Sequence, residues 1–393
     1  MNYILFEDAI TRTNLLPFTF TRPVADIRIG ITTIREKWEK CLGASTSTLT
    51  ELYLEEKYPM TRGENNILIN GSVLPNNEII AQIKQLKPNQ ALSYEDYVIA
   101  YNISGDTLDK LGEEDLDEVK TTANHIKVNN TWDIFTLNDV VLREDFKCIT
   151  NGRKSQKLNE TNHILGEENI FIEEGAVVNF VTINATTGPV YIGKDAEIME
   201  GAVIRGPFAL CEGAVVKMAT KIYGATTIGP HSKVGGELSN VVIFGYSNKA
   251  HDGFLGNSVL GEWCNLGADT NNSNLKNTYD EVKLWSYTHE AFVPTGLQFC
   301  GLIMGDHSKC GINTMFNTGT VIGVSANIFG AGFQRNFIAS YQWGGVSGFK
   351  TFMIERALET IERVMARRNV QLTRVDRKIL MYIFELTHKN RTF

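Results

Sequence analysis

From Ile192 onward every sixth residue is aliphatic: Ile192, Ile198, Ile204, Leu210, Val216, Ile222, Ile228 and Val234. Four positions after each come Ala196, Ala202, Phe208, Ala214, Thr220, Thr226, Ser232 and Leu238, most of them small, and glycines such as Gly193, Gly213 and Gly229 punctuate the run. A period of six is neither the ~3.6 of a helix nor the alternation of a simple strand. It describes a short strand and a corner, repeated, with one aliphatic side chain turned inward per side. Three sides close a triangular prism, so about eighteen residues make one coil of a parallel β-helix, and corner residues stack on their equivalents one coil away. A β-sandwich would instead place polar turns every eight to twelve residues or so, a looser spacing than this.

The repeat begins near Ile164, slips by two residues at Thr187-Gly188-Pro189, and returns after Val241. Later coils include Leu260-Gly-Glu-Trp-Cys-Asn265-Leu-Gly and Leu302-Ile-Met-Gly305-Asp-His. The stretch from Tyr279 to Phe299 breaks the rhythm and reads as a loop inserted between coils, the kind of excursion that carries function because coils cannot change shape. Residues 1–145 differ in texture. Apolar runs such as Tyr3-Ile-Leu-Phe6, Ile67-Leu-Ile69 and Tyr97-Val-Ile-Ala100 alternate with helix-like stretches, for example Thr33 to Leu42, the cadence of a layered α/β domain. The acidic stretch from Asp106 to Asp117 reads as a solvated helical face or loop. From Gly348 apolar residues fall at threes and fours, and a second helix follows Thr373 with Asp376 in its first turn. The basic run from Arg363 to Arg368 between these helices reads as a solvated helix end, not a binding patch. The expected organisation is an α/β domain over 1–145, a linker over 146–163, a β-helix over 164–345 and C-terminal helices over 346–393.

Lys and Arg number 38 against 45 Asp and Glu, a net charge of −7 that argues against a nucleic-acid-coating surface. The start, MNYILFEDAI, has no basic n-region and meets an acid early, unlike a signal peptide, and no run of about eighteen apolar residues suggests a membrane span. Six scattered cysteines show no Cys-x-x-Cys spacing and read as free, mostly buried thiols of a cytoplasmic protein.

The prism resembles the hexapeptide-repeat family of left-handed parallel β-helices. Within it, Lys249-Ala-His251-Asp252-Gly-Phe254-Leu-Gly256, then Asn265-Leu-Gly267-Ala268-Asp-Thr-Asn271-Asn272-Ser-Asn274, is similar to the acetyltransferase domain of the bifunctional N-acetylglucosamine-1-phosphate uridylyltransferase/glucosamine-1-phosphate N-acetyltransferase family, of GlmU type, in an alternative, shortened form. The interval from the histidine to Leu-Gly and the distances to both asparagines match without a gap; Gly301-Leu-Ile-Met-Gly305-Asp and Gly311-Ile-Asn313 match the archaeal form. The resemblance implies that His251 takes the proton from a sugar ammonium, a task suited to neutral imidazole near its pKa. It implies that Asn265 and Asn274 hold the sugar amine in an attacking pose, that the Ala268 N–H stabilises the oxyanion, and that Gly267 lets the thioester of acetyl-CoA approach. Phe254 stands where the family has Tyr, and Asp269 where it has Gly. The family's sugar-phosphate segments ahead of the histidine are not recognisable. The interval from Val234 to Lys249 is about one coil short, and Lys233, Glu237 and Lys249 are the candidate replacements. A γ-class carbonic anhydrase would need a His-x-x-x-x-His pair; position 256 is Gly, and no metal is expected for acetyl transfer.

The segment Leu15-Leu-Pro17-Phe-Thr19-Phe-Thr-Arg22-Pro23-Val24-Ala-Asp26-Ile-Arg28 resembles the opening of sugar-1-phosphate nucleotidyltransferases, which implies a nucleotidyltransferase-like, Rossmann-like fold. That family's glycine-rich loop is here Phe6-Glu7-Asp8-Ala9-Ile10-Thr11-Arg12, without glycine, Val24 replaces its lysine, and Gly71-Ser72 replaces its magnesium-binding Gly-Asp. Arg12, Arg22 and Arg28 are the cations left to meet phosphate, and degeneracy is expected. UTP and Mg²⁺ enter only if this domain turns over. Together the resemblances imply an acetyl-CoA-dependent sugar-phosphate N-acetyltransferase serving UDP-N-acetylglucosamine and cell-envelope synthesis, assembled as a homotrimer. A non-enzymatic sugar-nucleotide sensor or scaffold using both folds is the open alternative.

Overall fold

The computed structural model describes residues 1–108 and 116–391, so the core of the acidic stretch from Asp106 to Asp117 lies outside the described residues. The chain packs as two units. The first comprises Met1–Leu15, Thr21–Ile27 and Thr32–Asn130; the second comprises Leu16–Phe20, Arg28–Ile31 and Thr131–Phe393.

The first unit is built on a six-stranded Rossmann-like sheet of β1 (Asn2–Phe6), β2 (Ser47–Leu49), β3 (Asn65–Asn70), β4 (Gln90–Tyr94), β5 (Tyr97–Ser104) and β6 (Asp117–Lys120), in the order β2-β1-β3-β5-β4-β6. β1 runs parallel to β2 and β3, whereas β5 is antiparallel to β3 and β4. Ile4, Leu5, Ile67, Leu68 and Ile69 are buried on both faces of the sheet, which is why these strands read as unbroken apolar runs. The helix expected from Thr33 to Leu42 runs over Ile34–Leu42. Thr33 and Glu36 close a capping box at its start, and Gly43 ends it in the left-handed conformation. Its Trp38 indole donates to the Val73 carbonyl at 2.8 Å, tying the helix to the segment that follows β3.

In the second unit the period of six becomes a parallel β-helix with three sides. Side 1 includes Lys221–Tyr223, the first half of Glu237–Gly245, the first half of Phe254–Glu262, and Asn271–Asn272. Side 2 includes Thr226–Ile228, the second halves of the same two long strands, Leu302–Met304 and Thr320–Ile322. Side 3 stacks Val215–Val216, Lys233–Val234, Asn248–Lys249, Asn265–Leu266, Lys309–Cys310 and Asn327–Ile328. All eight aliphatics from Ile192 to Val234 are buried inside the prism. Burial of one large aliphatic per side stabilises each coil by about 2 kcal/mol per side chain against an exposed reference.

Val216 pairs with Val234, one full coil later, but Val234 pairs with Lys249. The short interval noted in the sequence therefore still closes one turn. It does so because sides 1 and 2 fuse into the single bent strand Glu237–Gly245, with Asn240 at the bend in the left-handed conformation that asparagine tolerates. Between sides 2 and 3, His231, Tyr246, Trp263 and His307 also take positive φ. Their rings stack into a ladder along that edge, Tyr246 on Trp263 at 4.2 Å and nearly coplanar, which offsets the strain of a bulky residue there.

The insertion is more ordered than a loop. Lys283–Ser286 and Ala291–Pro294 form an antiparallel hairpin whose Val282 and Leu284 are buried, and Trp285 stacks on Phe337 at 4.2 Å. Helices Asp133–Thr136 and Asn138–Thr150 precede the prism, and Ile354–Ala366 and Arg374–Leu386 follow it. The second of the latter pair starts on a capping box of Thr373 and Asp376. The Tyr341 hydroxyl donates to the Leu380 carbonyl at 2.8 Å, anchoring that helix to the last coils. Cys211, Cys264, Cys300 and Cys310 are buried free thiols, while Cys41 and Cys148 are exposed. Among the described residues no helix is long and apolar enough to cross a membrane.

Candidate active site at one edge of the prism

The edge between side 3 and side 1 carries the histidine motif. Asn248–Lys249 ends side 3, Phe254 opens side 1, and His251 and Asp252 sit exposed in the corner between them. One rung on, Asn265–Leu266 and Asn271 repeat the same geometry, so Ala268 occupies the corner position next to His251 along the prism axis. The Asp269 N–H donates to the Asp252 carbonyl at 3.0 Å and ties the two corners together. Neither the His251 ring nor the Ala268 N–H has a hydrogen-bond partner among the described residues. Adjacent rungs of a parallel sheet lie ~4.8 Å apart. An exposed base and an unfilled backbone donor thus stand one rung from each other.

Gly267 has a structural reason to lack a side chain. A β-carbon there would come within 2.4 Å of the Gly311 carbonyl carbon, in the next coil. Lys249 also differs from expectation. Its side chain points into the prism in line with Val234 and Leu266, is 1% exposed, and donates to the His251 and Asp252 carbonyls. It cannot reach a ligand outside; it fixes the turn that carries His251. Burial pulls its pKa down to about 8, against the pull of Asp252, Cys310 and Asp269 in the other direction.

On side 1, the Phe254 ring and the Asn274 amide crowd the same spot. A β-carbon on Gly256 would lie 2.5 Å from Phe254 Cζ and 2.8 Å from Asn274 Nδ2. Asn274 also donates to the Asn257 side chain at 2.7 Å, at the edge between sides 1 and 2. Asn265 projects instead from side 3, where its carbonyl oxygen accepts from Asn248 at 3.1 Å. The corner thus unites His251, Gly267 and Ala268, and side 1 unites Phe254 and Asn274, while Asn265 and Asn274 lie on different sides of the prism.

Three residues of this edge were not singled out by sequence reasoning. Asn271 accepts from the Phe254 N–H at 2.8 Å, and Asn272 exchanges two hydrogen bonds with the Gly256 backbone, so side-chain amides bind these rungs together where the insertion leaves the coil. Lys309 stands directly beside Asn265 on side 3, donates to the His307 carbonyl at 2.7 Å, and is pulled down to about 8 by burial. Their spacing in the motif points to Asn271 and Asn272. Nothing local points to Lys309, because the insertion separates it from the coil it covers. Lys233 projects from side 3 two rungs before Asn265. Glu237 accepts from the Tyr223 hydroxyl at 2.7 Å and pairs with Lys221 at 3.3 Å, which hold its carboxyl below the usual range against the opposing effect of burial.

The cations of the N-terminal segment are engaged structurally. In the first unit, Arg12 is buried against Glu7 at 2.9 Å and against the Tyr53 hydroxyl at 2.9 Å, and Arg22 is buried. Glu7 also accepts from the Val24 N–H at 2.8 Å, and Asp8 caps the helix Ala9–Asn14. The acids that replace a phosphate loop therefore organise the chain. Ser72 is buried with its hydroxyl on Asn70 at 2.7 Å. Arg28 belongs to the second unit, where its guanidinium meets the Phe244 carbonyl at 3.1 Å and the Ile31 carbonyl.

Residues 3–154 match the sugar nucleotidyl transferase family. The chain is 28% identical over 148 residues to a putative uncharacterized acetyltransferase, YaiX, of Escherichia coli K12, covering 37% of this chain and 64% of that protein. It is 31% identical over 144 residues to a bifunctional sugar-1-phosphate nucleotidylyltransferase/acetyltransferase of Sulfurisphaera tokodaii, 36% of this chain and 35% of that one. It is 28% identical over 211 residues to the bifunctional protein GlmU of Methanocaldococcus jannaschii, 54% and 45% of the two chains. The chain thus spans less than two thirds of the length of these curated relatives. Among solved structures, a Francisella novicida UDP-N-acetylglucosamine acyltransferase aligns with 58% of this chain and 88% of its own, at 13% identity and a TM-score of 0.26.

Proposed function

We propose that this chain is an acetyl-CoA-dependent N-acetyltransferase acting on a sugar phosphate such as glucosamine 1-phosphate, with the reaction at the edge between sides 3 and 1. The observation that carries the reading is the exposed His251 ring one rung from the unpartnered Ala268 N–H. The relatives named as acetyltransferases support it. His251 takes the proton from the sugar ammonium; the freed amine attacks the thioester carbonyl, and the C–N bond forms as the carbonyl electrons move onto oxygen. The Ala268 N–H donates to that oxyanion. Collapse expels the CoA thiolate, which takes the proton from the imidazolium, and the second proton of the attacking nitrogen passes to water, leaving the neutral amide. Phe254 offers an apolar wall, and Asn274 and Asn265 orient the acceptor, each from its own side. The N-terminal unit is read as a degenerate nucleotidyltransferase, since Arg12 is locked to Glu7. The assembly is read as a homotrimer: Met218, 67% exposed, and Ile312, 70% exposed, lie on the same edge as His251 and leave it apolar and open to a neighbouring subunit.

The test is thiol release from acetyl-CoA with glucosamine 1-phosphate. Loss of the general base in His251→Ala lowers kcat/KM by about 10²–10⁴-fold. Equal, background-level release by both proteins overturns the reading and favours the sensor or scaffold.

A further inference from the structure

Where the inserted hairpin meets the last coil and the C-terminal segment, the three enclose a cavity of about 280 Å³. Phe337 lines it from side 2, three rungs beyond Val259 through the pairs with Ile303 and Val321. The cavity therefore lies on a different face of the prism from the His251 corner. Trp285, stacked on Phe337 at 4.2 Å, forms the hairpin's part of the wall. The tip of the hairpin is clasped to the C-terminal segment by an ion pair between Glu290 and Lys389, which also line the cavity. At ~30 Å³ per molecule the space has room for about nine waters, the volume of a metabolite and not of a bare ion.

The polar groups of this wall are only partly used. Gln342 is 4% exposed, and its Oε1 accepts from the Ala339 N–H at 2.9 Å. That bond fixes the carboxamide and leaves its Nε2 donor without a partner among the described residues. Arg335 makes no ion pair or hydrogen bond among the described residues; its guanidinium stands 6.0 Å from the centre of the Phe349 ring. The Trp285 indole N–H, shielded from solvent, also lacks an acceptor, which is destabilising for a buried donor. Side chains that only filled a gap between segments would pair with one another. Here segments far apart in the chain bring unpaired donors to one enclosed space. Arg335 and Lys389 face the single carboxylate of Glu290, so the lining carries one net positive charge.

We propose that this cavity binds an anionic monosaccharide, its charge carried by a carboxylate or a phosphate. The unpaired guanidinium of Arg335 meets the oxyanion in a two-pronged fork. Gln342 Nε2, the Asn390 carboxamide and the Glu290 carboxylate supply donors and acceptors for ring hydroxyls. The Phe337 ring offers an apolar surface to the C–H face of the sugar, the division of labour usual in small-ligand sites. This site stands apart from the His251 corner and does not rest on the function proposed above.

The test is titration calorimetry on the full chain with glucuronate, glucose 1-phosphate and uncharged glucose. At least one anionic sugar binds, more weakly as salt is raised, and glucose does not; which one binds identifies the charged group the site reads. Arg335→Gln weakens that binding about tenfold or more, and so does Gln342→Glu, which keeps an oxygen for the Ala339 N–H but sets a carboxylate where the Nε2 donor stood. Arg335 is exposed, so its variant folds even should the Gln342 variant not. Arg356→Gln, outside the cavity and paired with Glu359, leaves the binding unchanged. Binding of neither anionic sugar, equal binding of glucose, wild-type affinity in either folded cavity variant, or an equal loss in Arg356→Gln overturns the site. None of these outcomes touches the reading of the His251 corner, which thiol release tests separately.

Discussion

Lys249 is the residue on which the chemistry of this edge turns, although it touches nothing outside the fold. An ammonium in an aliphatic column is destabilising unless its donors are used, and here they bind the carbonyls of His251 and Asp252. The structure keeps a buried polar group at the one corner that must not shift. Its pKa of about 8, below the usual 10.5, makes a stability claim with a definite sign. Between those values the unfolded chain binds more protons than the folded one, so folding stability rises with pH and the penalty is fully present below pH 8. Comparing the wild type with Lys249→Met in urea at pH 7.5 and 9.5 cancels every other titrating group, Lys309 included. The wild type gains about 2 kcal/mol on the variant across that interval. A difference that stays constant with pH contradicts the buried, depressed amine.

At the scale of elements, the prism was legible because one inward side chain per side leaves its period in the sequence, and the helices after Thr33 and Thr373 were legible because their signals are local. The His251 corner could be read for the same reason: Lys249 to Asn274 is a stretch of chain unbroken by insertion. What the sequence hid is what long loops and distant segments bring together. Lys309 stands beside Asn265 only through the register of the coils. The inserted segment was recognisable as an interruption but not as an anchored hairpin, because Trp285 finds its partner, Phe337, only once the later coils are wound. Trp285→Ala is therefore expected to cost about 2 kcal/mol, from lost stacking and burial of a half-buried aromatic. Phe292→Ala, on the exposed strand of the same hairpin, is expected to cost less than about 1 kcal/mol. Equal urea midpoints for the two variants would show that the hairpin is a loose excursion after all.

For the whole molecule, the order of the chain and the membership of the second unit do not coincide. Leu16–Phe20 and Arg28–Ile31, most of which fall in the segment read from sequence as a nucleotidyltransferase-like opening, complete the unit that contains the prism. Phe18 is fully buried with its ring 4.9 Å from Phe244, and Arg28 bonds the Phe244 carbonyl. The Gly30 N–H donates to Asn138 at 2.7 Å, the Ile31 N–H donates to Asp145 at 2.7 Å, and Ile31 packs with Leu142 and Ala209. Asn138 in turn donates to the Ala225 carbonyl at 3.0 Å, so the helix that leads into the prism is held from both directions. A fragment comprising residues 131–393 keeps every coil but loses these two threads. It exposes the apolar surroundings of Phe244 and leaves Asn138 and Asp145, both buried, without two of their partners. Loss of the Phe18 side chain alone is worth about 3 kcal/mol or more, so the fragment should melt at least ~5 °C below the full chain and bind a hydrophobic dye. The β-rich circular dichroism of the coils should survive at low temperature, because each coil is stabilised by its neighbours. A fragment that melts with the full chain and binds no dye would mean that the prism needs nothing from the first thirty-one residues, and that their burial in it is incidental.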